Sequence, residues 1–314
     1  MSDVMRREIL LAQPRGFCAG VERAIEIVEK AIEKFGAPIY VRHEIVHNTY
    51  VVNDLKQKGA VFIEDINEVP MGATLIFSAH GVPKVVERQA QDRELSVYDA
   101  TCPLVTKVHI ELTKLAEQGY EFIMIGHKGH PEVEGTLGQL DKGIHLVEDL
   151  EDINRLMPSQ TELLAVVTQT TLSVDDTAEI VSAIKMRFPK VRMPKQQDIC
   201  YATQNRQDAV KMMSAEVDIV IVVGSHNSSN SNRLRDLAIK QGRQSFMVDS
   251  VADIDESWFE GHRCIGVTAG ASAPEVLVQE VISKLKKLGA LSVRQLKGVE
   301  EKFKFPLPKG LKVH

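Results

Sequence analysis

The sequence predicts a parallel α/β fold, because short apolar runs alternate with amphipathic helical segments along the chain. Eight runs have the character of buried strands, and they end in Gly, Ser, Thr or His: REILLAQ, PIYVRH, TLIFSAH, EFIMIGH, ELLAVVTQ, DIVIVVGS, QSFMVDS and RCIGVTAG. A repeated layout, in which a cysteine follows a strand-like run and precedes a helical one, occurs three times. Together these observations predict three similar parallel-sheet α/β units related by pseudo-threefold symmetry.

The helical segments between these runs have apolar residues at helical spacing. VERAIEIVEKAIEKFG places Ile25, Val28, Ile32 and Phe35 on one face and acidic and basic residues on the other. SVDDTAEIVSAIKMRF begins with Ser173, a residue type that favours the N-cap position. The spacing therefore predicts amphipathic helices that cover the faces of buried sheets.

The repeat also predicts where the units begin and end. We expect a first α/β unit over residues 1–100, a second over 101–197 and a third over 198–288. Residues 289–314 carry little helical pattern, and we expect them to form a C-terminal tail that packs on the body.

Composition excludes several classes of protein. The 314 residues are 44% hydrophobic and 26% charged, which is typical of a globular chain with a large core. The net charge of −5 gives no overall basic field for nucleic acid. No apolar run approaches the roughly 18 residues of a membrane span, and the N-terminus has no convincing signal peptide. We therefore expect a cytoplasmic protein with reduced cysteines.

The three repeated cysteines, Cys18, Cys102 and Cys200, each stand where a helix is predicted to begin. A helix N-terminus stabilises a thiolate, and three thiolates at one point can hold a metal ion or an iron–sulfur cluster. The sequence contains no CxxC pair, which disfavours structural zinc. A single cysteine is more often a packed core residue, and we interpret Cys264 in this way because its neighbours are apolar.

Polar residues with short side chains follow several predicted strands, where parallel sheets bind ligands. Donors at these positions suit a phosphorylated ligand: His47, His80, His130, Ser228, Asn230 and Ser272. The stretch GSHNSSNSNR alone resembles a linker, but its strand–turn–helix context favours an anion-binding loop that is not a Walker A loop. Five further histidines are assigned structural roles: His43, His109, His127, His145 and His226.

The motif GHPEVEGT contains the best candidate for a proton donor. Glu132 lies at a predicted helix start, just after Pro131. The alternative is an acid that only stabilises the helix dipole, and Glu134 is the competing carboxyl. Thr170 in TQTT is a candidate to position a substrate hydroxyl, and its alternative role is packing in a strand.

Nine ordered motifs resemble those of the 4-hydroxy-3-methylbut-2-enyl diphosphate reductase family, which completes the methylerythritol phosphate route to isoprenoids. They are PRGFCAGV, HEIVHN, FSAHGV, DATCPLVTKVH, GHPEVEGT, TQTTLSVDDT, DICYATQNRQ, VVGSHNSSNSNRL and VTAGASAPE. The resemblance runs from about residue 9 to residue 275.

The resemblance implies a trefoil around one central [4Fe-4S] cluster per subunit, ligated by Cys18, Cys102 and Cys200. The substrate hydroxyl would bind the fourth iron and leave as water, giving isopentenyl and dimethylallyl diphosphate. Glu132 would donate the proton, with Thr170 beside the hydroxyl. The diphosphate positions would be His47, His80, His130, Ser228, Ser229, Asn230 and Ser272. A ferredoxin or flavodoxin type of protein would supply electrons, and neither nucleic acid nor membrane would be a partner.

Three other functions remain open from the residues alone. A non-redox [4Fe-4S] dehydratase of a phosphorylated small molecule would turn over without reductant. A cluster-bearing sensor or scaffold would show no turnover, and the many polar strand ends argue against it. A zinc phosphohydrolase would need closely spaced metal ligands that the sequence does not offer.

Overall fold

The computed structural model describes residues 7–194 and 198–311, which form two compact units. The described residues of the first unit are 7–21, 47–54 and 201–303. Those of the second unit are 22–46, 55–194, 198–200 and 304–311. Within these ranges, no helix combines the length and the apolar character needed to cross a membrane.

Twelve strands and ten α-helices alternate along the described residues. The strands are β1 (Arg7–Leu11), β2 (Ile39–Arg42), β3 (Ala60–Ile63), β4 (Thr74–Phe77), β5 (Ser96–Asp99), β6 (Glu121–Ile125), β7 (Ile144–Val147), β8 (Leu164–Thr168), β9 (Ile219–Val223), β10 (Gln244–Val248), β11 (Cys264–Ala269) and β12 (Ala290–Gln295). The helices are α1 (Ala19–Phe35), α2 (Thr49–Lys58), α3 (Lys84–Asp92), α4 (Pro103–Ala116), α5 (Pro131–Leu137), α6 (Leu150–Arg155), α7 (Val174–Arg187), α8 (Tyr201–Ser214), α9 (Ser229–Lys240) and α10 (Glu275–Lys287).

The first unit is built on a five-stranded parallel sheet in the order β10-β9-β11-β1-β12. Every residue of β9 is apolar and buried, as expected for a parallel strand covered on both faces. Ile219, Ile221 and Val223 pack in one cluster with residues of α10. Val220 and Val222 pack in another with residues of α8 and α9. This two-sided core fixes the carboxyl ends of β9 and β11.

The second unit contains two further parallel sheets, one in the order β3-β2-β4-β5 and one in the order β7-β6-β8. Separate apolar clusters support them, one centred on residues such as Leu75 and Phe77, and others on residues such as Ile123 and Phe122. Three parallel sheets with intervening helices confirm the predicted α/β class.

All eight predicted strands are present, and Ser173 caps α7 by accepting a hydrogen bond from the amide of Asp176 at 3.1 Å. Four further strands, β3, β5, β7 and β12, were not among the eight. Of these, β5 and β12 are largely exposed, so they lack the apolar runs that mark buried strands.

Two segments that are far apart in sequence pair in one sheet. Strand β12, within the segment predicted as a tail, pairs in parallel with β1, and β1 also pairs with β11. Parallel neighbours can be far apart in sequence, so the strand pattern alone does not reveal this pairing. The division of the chain into consecutive units at residues 100, 197 and 288 stays a prediction.

Candidate active site

The three repeated cysteines lie in turns with the same backbone frame. Cys18 and Cys200 directly precede α1 and α8, and Cys102 is the N-cap residue of α4. The amide of each cysteine donates to a carbonyl two residues beyond the end of a parallel strand. The acceptors are Ala271 after β11 for Cys18 (3.2 Å), Ala79 after β4 for Cys102 (2.9 Å) and Thr170 after β8 for Cys200 (3.1 Å).

In two of these turns, the residue two positions before the cysteine also donates a backbone hydrogen bond. The amide of Gly16 donates to Ala269 at 3.1 Å, and that of Ala100 donates to Phe77 at 3.0 Å. Before Cys200 a side chain takes part, because the carboxylate of Asp198 accepts a hydrogen bond from the Thr168 amide at 3.0 Å. The sequence repeat is therefore a repeat of backbone structure, with a local variation at the third cysteine.

A buried arginine holds the turn that leads to Cys18. The side chain of Arg206, on α8, is fully buried. Its guanidinium donates to the carbonyl of Gly16 at 2.7 and 3.0 Å and to that of Phe17 at 3.1 Å. Its charge is balanced by Glu301, with both carboxylate oxygens 3.1 Å away. The two carbonyls immediately before Cys18 are thus fixed by a paired cation.

Glu132 is a buried carboxyl near the turn of Cys200. It lies in the first turn of α5, where the ring of His130 accepts a hydrogen bond from its amide at 3.1 Å. The amide and hydroxyl of Thr170 donate to its two carboxylate oxygens at 2.6 and 2.9 Å. Burial raises the pKa of Glu132 to about 7, although the Thr170 bonds act in the opposite direction. The group can therefore carry a proton near neutral pH.

A second buried acid lies in the same unit. Burial raises the pKa of Asp198 to about 6, partly offset by the bond from the Thr168 amide and by the charge of Lys107. The charge of Asp198 in turn raises the pKa of Glu132, after the larger effect of burial. Two carboxyls in one low-dielectric region disfavour each other's ionisation, which favours a protonated Glu132.

The start of α9 gathers polar groups in the first unit. Ser228 is its N-cap residue and accepts from the amide and the hydroxyl of Ser231 at 3.3 and 3.0 Å. Asn230 is buried, and within the described residues neither its amide nitrogen nor its oxygen has a hydrogen-bond partner. An amide buried in this way is costly unless a ligand satisfies it.

Two glycines allow the first turn of α9 to lie against the ends of β9 and β11. A Cβ atom on Gly224, after β9, would lie 2.3 Å from the hydroxyl of Ser231, and one on Gly270, after β11, would lie 2.0 Å from it. On the other side of the same region, the hydroxyl of Ser272 donates to the carbonyl of His47 at 2.8 Å. Ser229 is half-buried at the first position of the helix.

Three histidine rings lie edge to face in the second unit. The ring centroids of His80 and His130 are 5.8 Å apart, and those of His43 and His80 are 5.9 Å apart. His80 also lies 3.3 Å from the hydroxyl of Ser78. The structure therefore brings two of the predicted histidines together with His43.

Sequence reasoning missed four residues of these surroundings: Arg206, Asp198, Ser231 and His43. His43 directly follows β2 just as His80 follows β4 closely, and this position was the available signal. The assignment of Cys264 as a packed residue is confirmed, because it lies against an apolar cluster. His109 also has a structural setting, since burial lowers its pKa to about 4 and its ring contacts Thr136 at 3.1 Å.

The fold and these turns define an α/β protein whose candidate functional groups lie beyond the carboxyl ends of parallel strands. The chain belongs to the LytB family, whose model, described as LytB protein, matches residues 9–286. The family resemblance drawn from the nine motifs is thereby confirmed.

Relatives match this chain over nearly its whole length. A 4-hydroxy-3-methylbut-2-enyl diphosphate reductase from Polaromonas sp. is 71% identical over 312 residues, covering 99% of this chain and 94% of the relative. One from Methylibium petroleiphilum is 68% identical, covering 97% and 92%. The solved structure of the E-1-hydroxy-2-methyl-but-2-enyl-4-diphosphate reductase from Plasmodium falciparum is 39% identical, covers 98% of this chain and 97% of its own, and superposes with a TM-score of 0.94.

Proposed function

We propose that this protein reductively dehydroxylates 4-hydroxy-3-methylbut-2-enyl diphosphate, giving isopentenyl and dimethylallyl diphosphate. The observation that carries this proposal is the continuous contact from Glu132 through Thr170 to Cys200. A carboxyl that holds a proton near neutral pH is thereby tied to the backbone of a thiol-bearing turn. The names of the close relatives support the same reaction.

The cofactor would be one [4Fe-4S] cluster per subunit, held by Cys18, Cys102 and Cys200. The donor set fits, because each cysteine carries a thiol rather than a disulfide and begins a helix. The positive end of a helix favours thiolate, the form that binds iron. When bound, a cluster with three protein ligands supplies electrons and an open iron for the substrate hydroxyl.

The proton would come from Glu132. In its protonated form the carboxyl donates to the departing hydroxyl, which then leaves as water. Thr170 orients this carboxyl by two hydrogen bonds, and its hydroxyl would also contact the substrate oxygen. Burial serves the reaction here, because an exposed glutamate would be ionised at neutral pH.

The diphosphate would be bound by short neutral or histidine donors rather than by a row of lysines. The proposed set is His47, His80, His130, Ser228, Ser229, Asn230 and Ser272. The unsatisfied amide of Asn230 at the start of α9 supports this assignment, because an anion at a helix N-terminus would accept its hydrogen bond.

The test is an anaerobic purification followed by counting of iron and sulfide and an assay with dithionite-reduced viologen. Close to four irons per chain and reductant-dependent loss of the substrate hydroxyl support the reductase. Turnover without reductant would replace it with the dehydratase, and a cluster without any turnover would favour a sensor. A fresh preparation without iron would contradict the cluster assignment.

A further inference from the structure

An open groove of about 850 Å³ lies along the outward face of α4 in the second unit. One face of the helix lines it, including Lys107, Ile110 and Lys114, while the opposite face is buried in the unit. Thr101 and Pro103, the residues on either side of Cys102, also line the groove. The groove therefore borders the two residues that flank a proposed cluster ligand.

The charge of the groove is opposite to that of the whole chain. Four basic residues line it, Arg23, Lys107, Lys114 and Arg192, against two acidic ones, Asp99 and Glu111, whereas the chain carries a net charge of −5. Asp99 is also engaged internally, since its carboxylate accepts from the Thr101 amide at 2.8 Å. An acidic protein would be repelled by most of this molecule and attracted here.

Arg23 connects the groove to the cysteine turn. Its guanidinium donates to the carbonyl of Thr101 at 3.1 Å. A cation that lines the groove thus binds the backbone of the residue directly before Cys102.

The lining of the groove also includes apolar residues. Ile110 is 62% exposed on the surface of α4, and Pro103 and Pro308 line the groove as well. Small surfaces that combine apolar and charged contacts are typical of transient protein complexes, such as those that transfer electrons.

We propose that this groove docks a small acidic one-electron carrier protein, which is the reductant that the proposed function requires. Two reduced carriers each lose one electron per turnover. With two protons these electrons break one C–O bond, so that carbon gains one proton and the hydroxyl leaves as water. The proposal rests on the proposed function for its purpose, but binding in the groove can be measured without turnover.

The experiment compares two charge reversals in the holoenzyme. Lys114→Glu changes an exposed residue in the last turn of α4, and Lys286→Glu makes the same change in the last turn of α10, far from the groove in sequence and outside its lining. An acidic [2Fe-2S] ferredoxin is the probe. The readouts are its Kd by calorimetry, its KM as electron donor, and kcat with reduced viologen, which needs no docking surface.

We expect Lys114→Glu to raise both Kd and KM for ferredoxin roughly tenfold at low salt, and Lys286→Glu to change them by less than about twofold. Turnover with viologen should be the same in both variants. Glu111→Lys should shift Kd and KM in the opposite direction. If the two lysine reversals have equal effects, or none, the proposal that the groove docks the carrier is wrong. Normal turnover with viologen would then still support the proposed reductase function. If viologen turnover is absent in the unmodified protein, the proposed function fails and the calorimetric comparison alone decides on the groove.

Discussion

The turns of Cys18 and Cys200 share a backbone frame and differ in the side chains around it. In both, the cysteine amide bonds to a carbonyl two residues past a parallel strand. The acceptor is Ala271 for Cys18 and Thr170 for Cys200. Only the second acceptor carries a hydroxyl, and that hydroxyl holds Glu132. The repeat thus supplies equivalent thiol positions, while single side chains decide which of them has a buried carboxyl nearby.

The two turns are also fixed by groups of opposite charge. Before Cys18, the buried cation Arg206 donates to two carbonyls. Before Cys200, the buried acid Asp198 accepts from a strand amide. We infer that the thiols are alike in backbone geometry and different in electrostatic environment.

The largest effect should come from removing either thiol. We expect Cys18→Ser and Cys200→Ser to abolish both the visible absorbance of the cluster and the turnover, because serine does not replace a thiolate ligand of iron. Cys264→Ser is the matched control, since Cys264 lies in β11 against an apolar cluster. It should keep the absorbance, and a variant of Cys18 or Cys200 with normal absorbance would contradict the ligand assignment.

The second prediction concerns Glu132, which is bound by the hydroxyl of Thr170 at the turn of Cys200. Glu132→Gln should keep the cluster and substrate binding but lower kcat by about 10²- to 10⁴-fold, because the amide has no acidic proton to donate. Glu134→Gln, an exposed neighbour on the same helix, is the control and should leave kcat near that of the parent. If Glu132→Gln retains full activity, Glu132 returns to a role at the helix N-terminus.

The third prediction concerns Arg206, which donates to the two carbonyls before Cys18. Arg206→Gln leaves the carboxylate of Glu301 without its buried partner, so the free energy of unfolding should fall by about 3–5 kcal/mol. Arg235→Gln removes a partly exposed ion pair with Asp236 and should cost less than about 1 kcal/mol. Urea denaturation measures both, and similar losses in the two variants would show that burial of Arg206 contributes no special stability.

The smallest effect is a pH dependence of turnover, which we expect to arise from Glu132 near the turn of Cys200. Burial raises the pKa of Glu132 to about 7, and under the proposed function its protonated form would be the active one. Viologen-driven turnover should therefore fall as the pH rises, by about tenfold between pH 6 and pH 8. Glu132→Gln should lose this slope, whereas an unchanged slope in its residual activity would assign the titration to another group.

Much of the fold could be predicted from sequence, because buried parallel strands are nearly continuous apolar runs. The eight predicted strands and the cysteine repeat were visible in this way. Strand β12 was not, since five of its six residues are exposed and its pairing with β1 is far in sequence. Only the folded structure joins two segments of this kind.

Sequence analysis identified the candidate site residues whose type indicates chemistry, such as Glu132. Arg206 could not be predicted, because arginine in a helix is usually exposed and its partners are carbonyls near residue 16. Asp198 was overlooked for a similar reason, since its partner is a backbone amide of β8. Backbone partners leave no pattern of residue types in the sequence.

The pairing of β1 between β11 and β12 has a consequence for synthesis on the ribosome. Strand β1 has no neighbour in its sheet until residues 264–295 have emerged. During that interval its apolar residues are available to chaperones and to aggregation. The turn of Cys18 directly follows this strand, so it acquires its final shape late. If this turn holds a cluster ligand, iron and sulfide can be delivered only after residues 264–295 have joined the sheet.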